Sequence, residues 1–211
     1  ASCTLTLFNS KKHKLDFQLN TIIKRPEALF GATFIIINPE HPDLFLMIDS
    51  AHKDNVIRFI AKTHQKSLLD RYEHPDFSII ETGIFAQHPM TKELIPVFVG
   101  DYCLEGYDNR VTHAHIAIPA HDVKDFHVAQ NNKLPIKLVI TSPDETKTTS
   151  SPQINKTTKQ LIAAYPGEYA DCLVVNSEFL NGNIKTSADK AIAFLKSKKI
   201  GTEYKEPVLY H

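Results

Sequence analysis

The chain has 211 residues, 42% apolar and 23% charged, which suffices for a real core and leaves no apolar run of membrane-spanning length. Lys+Arg and Asp+Glu balance at 24 each, so the chain as a whole does not gather polyanions, and any RNA contact must be local or shared with other parts of a larger protein. The start, Ala-Ser-Cys-Thr, shows no basic-then-apolar pattern, so nothing in it argues for secretion, and Cys3, Cys103 and Cys172 are odd in number and far apart; this suits a reducing compartment and neither a disulfide frame nor a metal knuckle.

Residues 4–8 and 15–19 alternate apolar and polar side chains and read as a hairpin turning at 9–14, where Lys11, Lys12 and Lys14 form a solvated turn. The second arm reaches Ile22-Ile23-Lys24 and breaks at Arg25-Pro26, with a short helical turn expected at 27–30. Residues 33–38 are a continuous, largely β-branched apolar run, the pattern of a strand covered on both faces. The spacing predicts helices over 42–50 and 55–72, the second with Val56, Phe59, Ile60, Thr63 and Ser67 near one face. Strands follow at 79–87 and 94–102, joined by a turn at 88–93. A polar loop at 105–109 leads to a strand at 113–118, a helix at 122–131 and a strand at 136–140. Residues 142–152, rich in Ser, Thr, Pro and charge, read as a mobile loop; 156–164 reads as a short helix and 173–175 as a short strand. Thr186 or Ser187 is expected to cap a last helix running to about Lys198, with Ile192 and Leu195 buried and Gly201 as its C-cap. Irregular alternation with several strand–turn–strand joins predicts a mixed α/β fold, a barrel-like core of mostly antiparallel strands with peripheral helices. Residues 1–202 form the domain and 203–211 a tail.

The stretch from His113 to Phe126 organises the rest. Ala114, Ile116 and Ile118 alternate as a strand, and Pro119 stops it. Asp122 stands as a helix N-cap, with Asp125 where a capping-box acid would sit. A strand that ends in a polar turn and feeds a helix gathers backbone N–H groups and carboxylates in one place, where a small polar or cationic group can be held. By composition alone, capping is the commoner role for such acids. His113, His115, His121 and His127 invite a metal reading, with His113 and His115 on one strand face, but no Cys is near and the spacing does not fit, so no metal is expected. No Gly-x-Ser-x-Gly elbow is present, and Cys103 lies in an apolar strand context, so no Ser or Cys nucleophile is expected.

Ile118-Pro119-Ala120-His121-Asp122-x-x-Asp125-Phe126, followed by Ala129 and by Leu134-Pro135-Ile136-Lys137-x-Val139-Ile140, resembles the editing domain of leucyl-tRNA synthetase, inserted in that enzyme's catalytic fold as a connective polypeptide. Residues 25–33 resemble the family's threonine-rich segment and 38–42 its sequel. Residues 82–86 with 95–97 resemble its central hairpin, and 174–182 with the helical 188–195 its closing segment. The resemblance implies the editing-domain fold of class I aminoacyl-tRNA synthetases and hydrolysis of the ester of mischarged tRNA(Leu). Such a second site answers a physical need, because one methylene separates competing amino acids by only ~1–3 kcal/mol. The partners implied are the tRNA(Leu) 3′ end and the rest of a parent synthetase in the cytoplasm, with the fragment itself a monomer. No cofactor is implied for the fragment. ATP and Mg serve the parent's catalytic domain, whose HIGH-type and KMSKS-type signatures are missing here, so this chain alone is not expected to activate leucine.

By the same resemblance Asp125 is the catalytic-site acid that pairs with the α-ammonium of the ester-linked amino acid. His121 and Asp122 either contact substrate or cap and orient the turn. Arg25 sits near the tRNA terminus, and Ile23, Lys24, Ala28, Ile116 and Ile118 join the substrate-binding set. The chain also departs from the family: two threonines before the arginine are Ile23 and Lys24, the threonine that blocks leucine is Ala28, and Gly-Thr-Gly is Val111-Thr112-His113. Three hydroxyls are thus lost, and a close approach that needs glycine is filled. Two readings follow. One is a hydrolytic editing domain that discriminates weakly against leucine; the other is a degenerate insert that aids tRNA binding or domain packing without hydrolysis, and the substitutions tilt towards it.

Overall fold

The structure, a computed structural model, describes residues 1–104, 112–143, 152–155, 157–158, 160–167 and 171–203. β1 (Ser2–Asn9) and β2 (Lys14–Ile22) form the first hairpin, its turn fastened by Asn9 Oδ1, which accepts from the N–H groups of Lys11 and His13. Pro26–Gly31 is a buried 3₁₀ turn, and β3 (Phe34–Ile37) is buried at every position. α1 (Leu44–Met47), α2 (Lys53–Thr63) and α3 (Leu68–Glu73) precede the hairpin of β4 (Ile79–Gln87) and β5 (Leu94–Gly100). β6 (Ala114–Ala117) then feeds α4 (Val123–Asn131). The chain closes with β7 (Ile140–Thr141), β8 (Leu173–Val174), β9 (Gly182–Asn183), α5 (Ile184–Ser197) and β10 (Gly201–Thr202).

The main sheet runs β10-β1-β4-β5-β3-β6 with β2 on the other side of β1, and β3–β5 is its parallel pair. Its two ends curl towards each other: Thr21 Oγ1 of β2 donates to the Ala114 carbonyl of β6 at 3.0 Å. The result is the expected barrel-like core, a curled half-barrel with helices outside. Strand alternation sorts side chains to two faces. Leu5, Leu7, Leu19, Ile35, Ile37, Val97, Val99 and Ile116 fill the inside, whereas Phe34, Ile36, Phe98 and Ala117 meet Val128 and Ala129 of α4 on the outside. β7, β8 and β9 make a small second sheet.

Local chemistry moved several boundaries. The helix expected over 55–72 is two helices, because Ser67 is extended and its Oγ accepts from the Asp70 N–H, capping α3. The helix expected over 42–50 lasts one turn; Asp49 is extended and restarts the chain by accepting from the Ala51 N–H. The last helix starts at Asn183, which accepts from the Lys185 N–H, and not at Thr186 or Ser187. It ends at Lys199 in the left-handed region (φ 55°), with the Ile200 N–H on the Leu195 carbonyl. Gly201 is therefore no C-cap. It lies in β10 opposite Cys3, and a Cβ there would collide with the Ser2 carbonyl oxygen. Ile192 is only half-buried, unlike Leu195.

The described part of 156–164 is not helical. Ile154 bridges Leu161, and Asn155 Oδ1 takes the N–H groups of Thr157 and Thr158. Of the strand expected at 136–140 only Ile140 pairs, with Val174 of β8, while the N–H groups of Val139 and Ile140 are taken by His121. The loop at 105–109, most of the loop at 142–152 and all but the first residue of the tail lie outside the described residues.

Candidate functional site

A cleft of about 740 Å³ opens where β2 ends, β6 turns and α4 begins. The bend after β2 contributes Ile23, Lys24 and Arg25, β6 and its end contribute Ile116 and Ile118, and the helix start contributes His121, Asp122 and Asp125. Eight of the nine residues named from sequence thus meet around one cavity. The ninth, Ala28, is fully buried in the core and is not on the wall. Thr112, His115 and Lys124 also line the cleft, so that Lys24, Arg25 and Lys124 share it with Asp122 and Asp125.

Asp125 sits on the first turn of α4, against the outer face of the sheet, with its carboxylate 1% exposed. Its Oδ1 accepts from the Tyr102 hydroxyl at 3.0 Å and from His115 Nε2 at 2.9 Å. Its Oδ2 accepts from the Ile118 N–H at 2.8 Å and from His115 Nε2 at 2.9 Å. Strand parity explains the meeting: Ala114 and Ile116 point into the half-barrel, so His115 points to the face that α4 covers. The buried acid is thereby charge-compensated by three donors. Burial, and then the charge of Asp125, raise the Tyr102 phenol well above the ordinary tyrosine value, which keeps it a donor.

Asp122 is the N-cap, accepting from the Asp125 N–H at 3.0 Å. His121 is a buried staple. Its Nδ1–H donates to the Tyr165 carbonyl at 2.7 Å, and its Nε2 accepts from the N–H groups of Val139 and Ile140, each at 3.1 Å. Burial holds its pKa down at about 4, so it is neutral near pH 7. Arg25 is likewise engaged: Nε donates to Glu27 Oε1 at 2.9 Å, and its terminal nitrogens donate to the carbonyls of Pro166 and Gly167. The four histidines whose grouping invites a metal reading go separate ways. His113 packs on His41, with ring centroids 5.4 Å apart, and His127 packs on Phe77. Among the described residues no group of three or more His, Cys, Asp or Glu could hold a metal ion.

Sequence reasoning missed Tyr102 and the role of His115. Parity placed His115 opposite Ile116, which is the face of the following helix; that signal was present. Tyr102 reaches Asp125 across 23 positions of sequence, and no local pattern marks it.

With that geometry in view, comparison with solved structures places the fold. LeuRS from Agrobacterium radiobacter K84, solved in a ternary complex with tRNA and LeuAMS, matches 96% of this chain and 20% of its own at 21% identity, with a TM-score of 0.60. The fold is thus of the kind found within an aminoacyl-tRNA synthetase. The family described as leucyl-tRNA synthetase, editing domain, matches residues 3–195, and the chain belongs to that family. Among the similar relatives, leucine–tRNA ligase from Thermosipho melanesiensis is 34% identical over 193 residues, covering 89% of this chain and 21% of the relative. That from Flavobacterium johnsoniae is 34% identical over 204 residues, covering 93% and 19%. The chain spans about a fifth of the length of the curated relatives it matches.

Proposed function

We propose that the cleft receives the aminoacylated 3′ end of tRNA(Leu), and that ester hydrolysis there is weak or absent. One observation carries this reading. Asp125 stands on the cleft beside the Arg25-Pro26 bend, as an acid that grips an α-ammonium must, yet each of its oxygens already accepts two hydrogen bonds from the protein. An arriving ammonium has to displace one of them. The bend offers Ile22 and Ile23 to the cleft, and aliphatic side chains cannot hold a water or an oxyanion. Thr112, the one hydroxyl-bearing residue among the described lining residues, donates to the Ala114 carbonyl.

The chain acts with the remainder of a parent synthetase in the cytoplasm, and leucine activation with ATP and Mg belongs to that remainder. Deacylation of isoleucyl-tRNA(Leu) and norvalyl-tRNA(Leu) by the purified chain tests the reading. The expected rate lies close to the protein-free control. Rapid turnover that Asp125→Ala abolishes contradicts it and restores the hydrolytic reading.

A further inference from the structure

We infer that His115 is a built-in occupant of the cleft's ammonium seat, so that a primary-amine ligand reaches Asp125 only when this side chain leaves. The inference rests on the proposed reading of the cleft and deepens it. His115 Nε2–H lies 2.9 Å from both carboxylate oxygens. That is the bridging position a ligand N–H donor takes on a carboxylate. The imidazole is the more accessible partner, 18% exposed against 1% for the acid, and it too lines the cleft. It therefore stands between the acid and the open space.

The other two donors cannot leave. Tyr102 is buried beneath α4 and holds Oδ1; the Ile118 N–H is main chain and holds Oδ2. Withdrawing His115 removes the donor that bridges both oxygens and keeps the two that fix their orientation. The carboxylate stays oriented as it gives up that donor, which is what an incoming ammonium requires. The ligand class is a primary amine on a small apolar chain, since Ile23, Ile116 and Ile118 also line the cleft. No covalent step is involved.

The test is calorimetric titration of the full chain with a non-hydrolysable amide analogue of aminoacyl-adenosine and with its deaminated counterpart. His115→Val is expected to bind the amine ligand at least tenfold more tightly than the unaltered chain, with no gain for the deaminated one. His115→Gln keeps an N–H donor at a similar reach and is expected to bind like the unaltered chain. His115→Ala is a second withdrawing variant should His115→Val not fold. Equal amine affinity in the unaltered and withdrawn forms overturns the inference while leaving the proposed function intact. An equal gain for the deaminated ligand, or for His115→Gln, also overturns it, because bulk and not the N–H would then be the obstacle. If no folded form binds either ligand, the cleft reading fails and this inference with it.

Discussion

His121 and Asp125 lie four positions apart across the start of α4, and both are buried polar groups with every hydrogen-bonding atom engaged, but their partners differ in kind. His121 is held wholly by main chain: the Tyr165 carbonyl on one nitrogen and the N–H groups of Val139 and Ile140 on the other. Asp125 takes one main-chain donor and two side chains, one of which is partly exposed on the cleft. A group satisfied by backbone is architecture, because nothing around it can move alone. A group satisfied by a side chain at a cavity is exchangeable. His88 repeats the first pattern, with its Nε2–H on the Leu29 carbonyl and its Nδ1 accepting from the N–H groups of Met90 and Thr91.

The sharpest contrast comes with acid. Burial lowers both His88 and His121 from 6.5 to about 4. The unfolded chain therefore binds protons between those values while the native protein does not, and stability that is full above pH 6.5 is lost as pH falls towards 4. Each histidine contributes on the order of 3 kcal/mol at neutral pH through this difference. Asp101 opposes the trend, since burial raises its pKa. Urea unfolding at steps from pH 7 to 4 should show a steep fall in midpoint. A flat profile would break the assignment of both staples.

Substitution comes next in size. His121→Ala removes its hydrogen bonds to two N–H groups and one carbonyl, and is expected to cost about 3 kcal/mol, read as a shift in the urea midpoint. Asp125→Ala strands the Tyr102 hydroxyl and the Ile118 N–H and is expected to cost about 2 kcal/mol. His115→Val removes one donor from the carboxylate on its cleft side, where water can take its place, and should cost about 1 kcal/mol. A loss for His115→Val as large as for Asp125→Ala would make that pair architecture too. The smallest effect concerns α5: Asn183→Ala should cost ~1 kcal/mol and Thr186→Ala close to nothing. The opposite order would reinstate the cap expected from sequence.

Much of this was legible beforehand where the signal is local. The alternating arms of β1 and β2, the buried run of β3, the stop at Pro119 and the cap at Asp122 are all set by neighbouring residues. Motif resemblance gathered the residues around the cleft although Arg25 and Asp125 are 100 positions apart in the chain. What could not be read was competition between partners. Ser67, Asp49 and Asn183 each claimed an N–H that periodicity had given to a longer or later helix. His121 took the N–H groups of Val139 and Ile140, which the strand pattern had given to a ladder. Ala28 was placed on the cleft by position in a motif, yet its small side chain is enclosed by the core.

The most direct measurement is imidazole nitrogen NMR on the folded chain near pH 7, following the ring N–H of His115. The account predicts a slowly exchanging Nε2–H resonance for His115, shifted downfield by the carboxylate and lost in Asp125→Asn. A His115 ring proton that exchanges freely with water, and is indifferent to Asp125→Asn, would show an acid open to ligands and contradict the account.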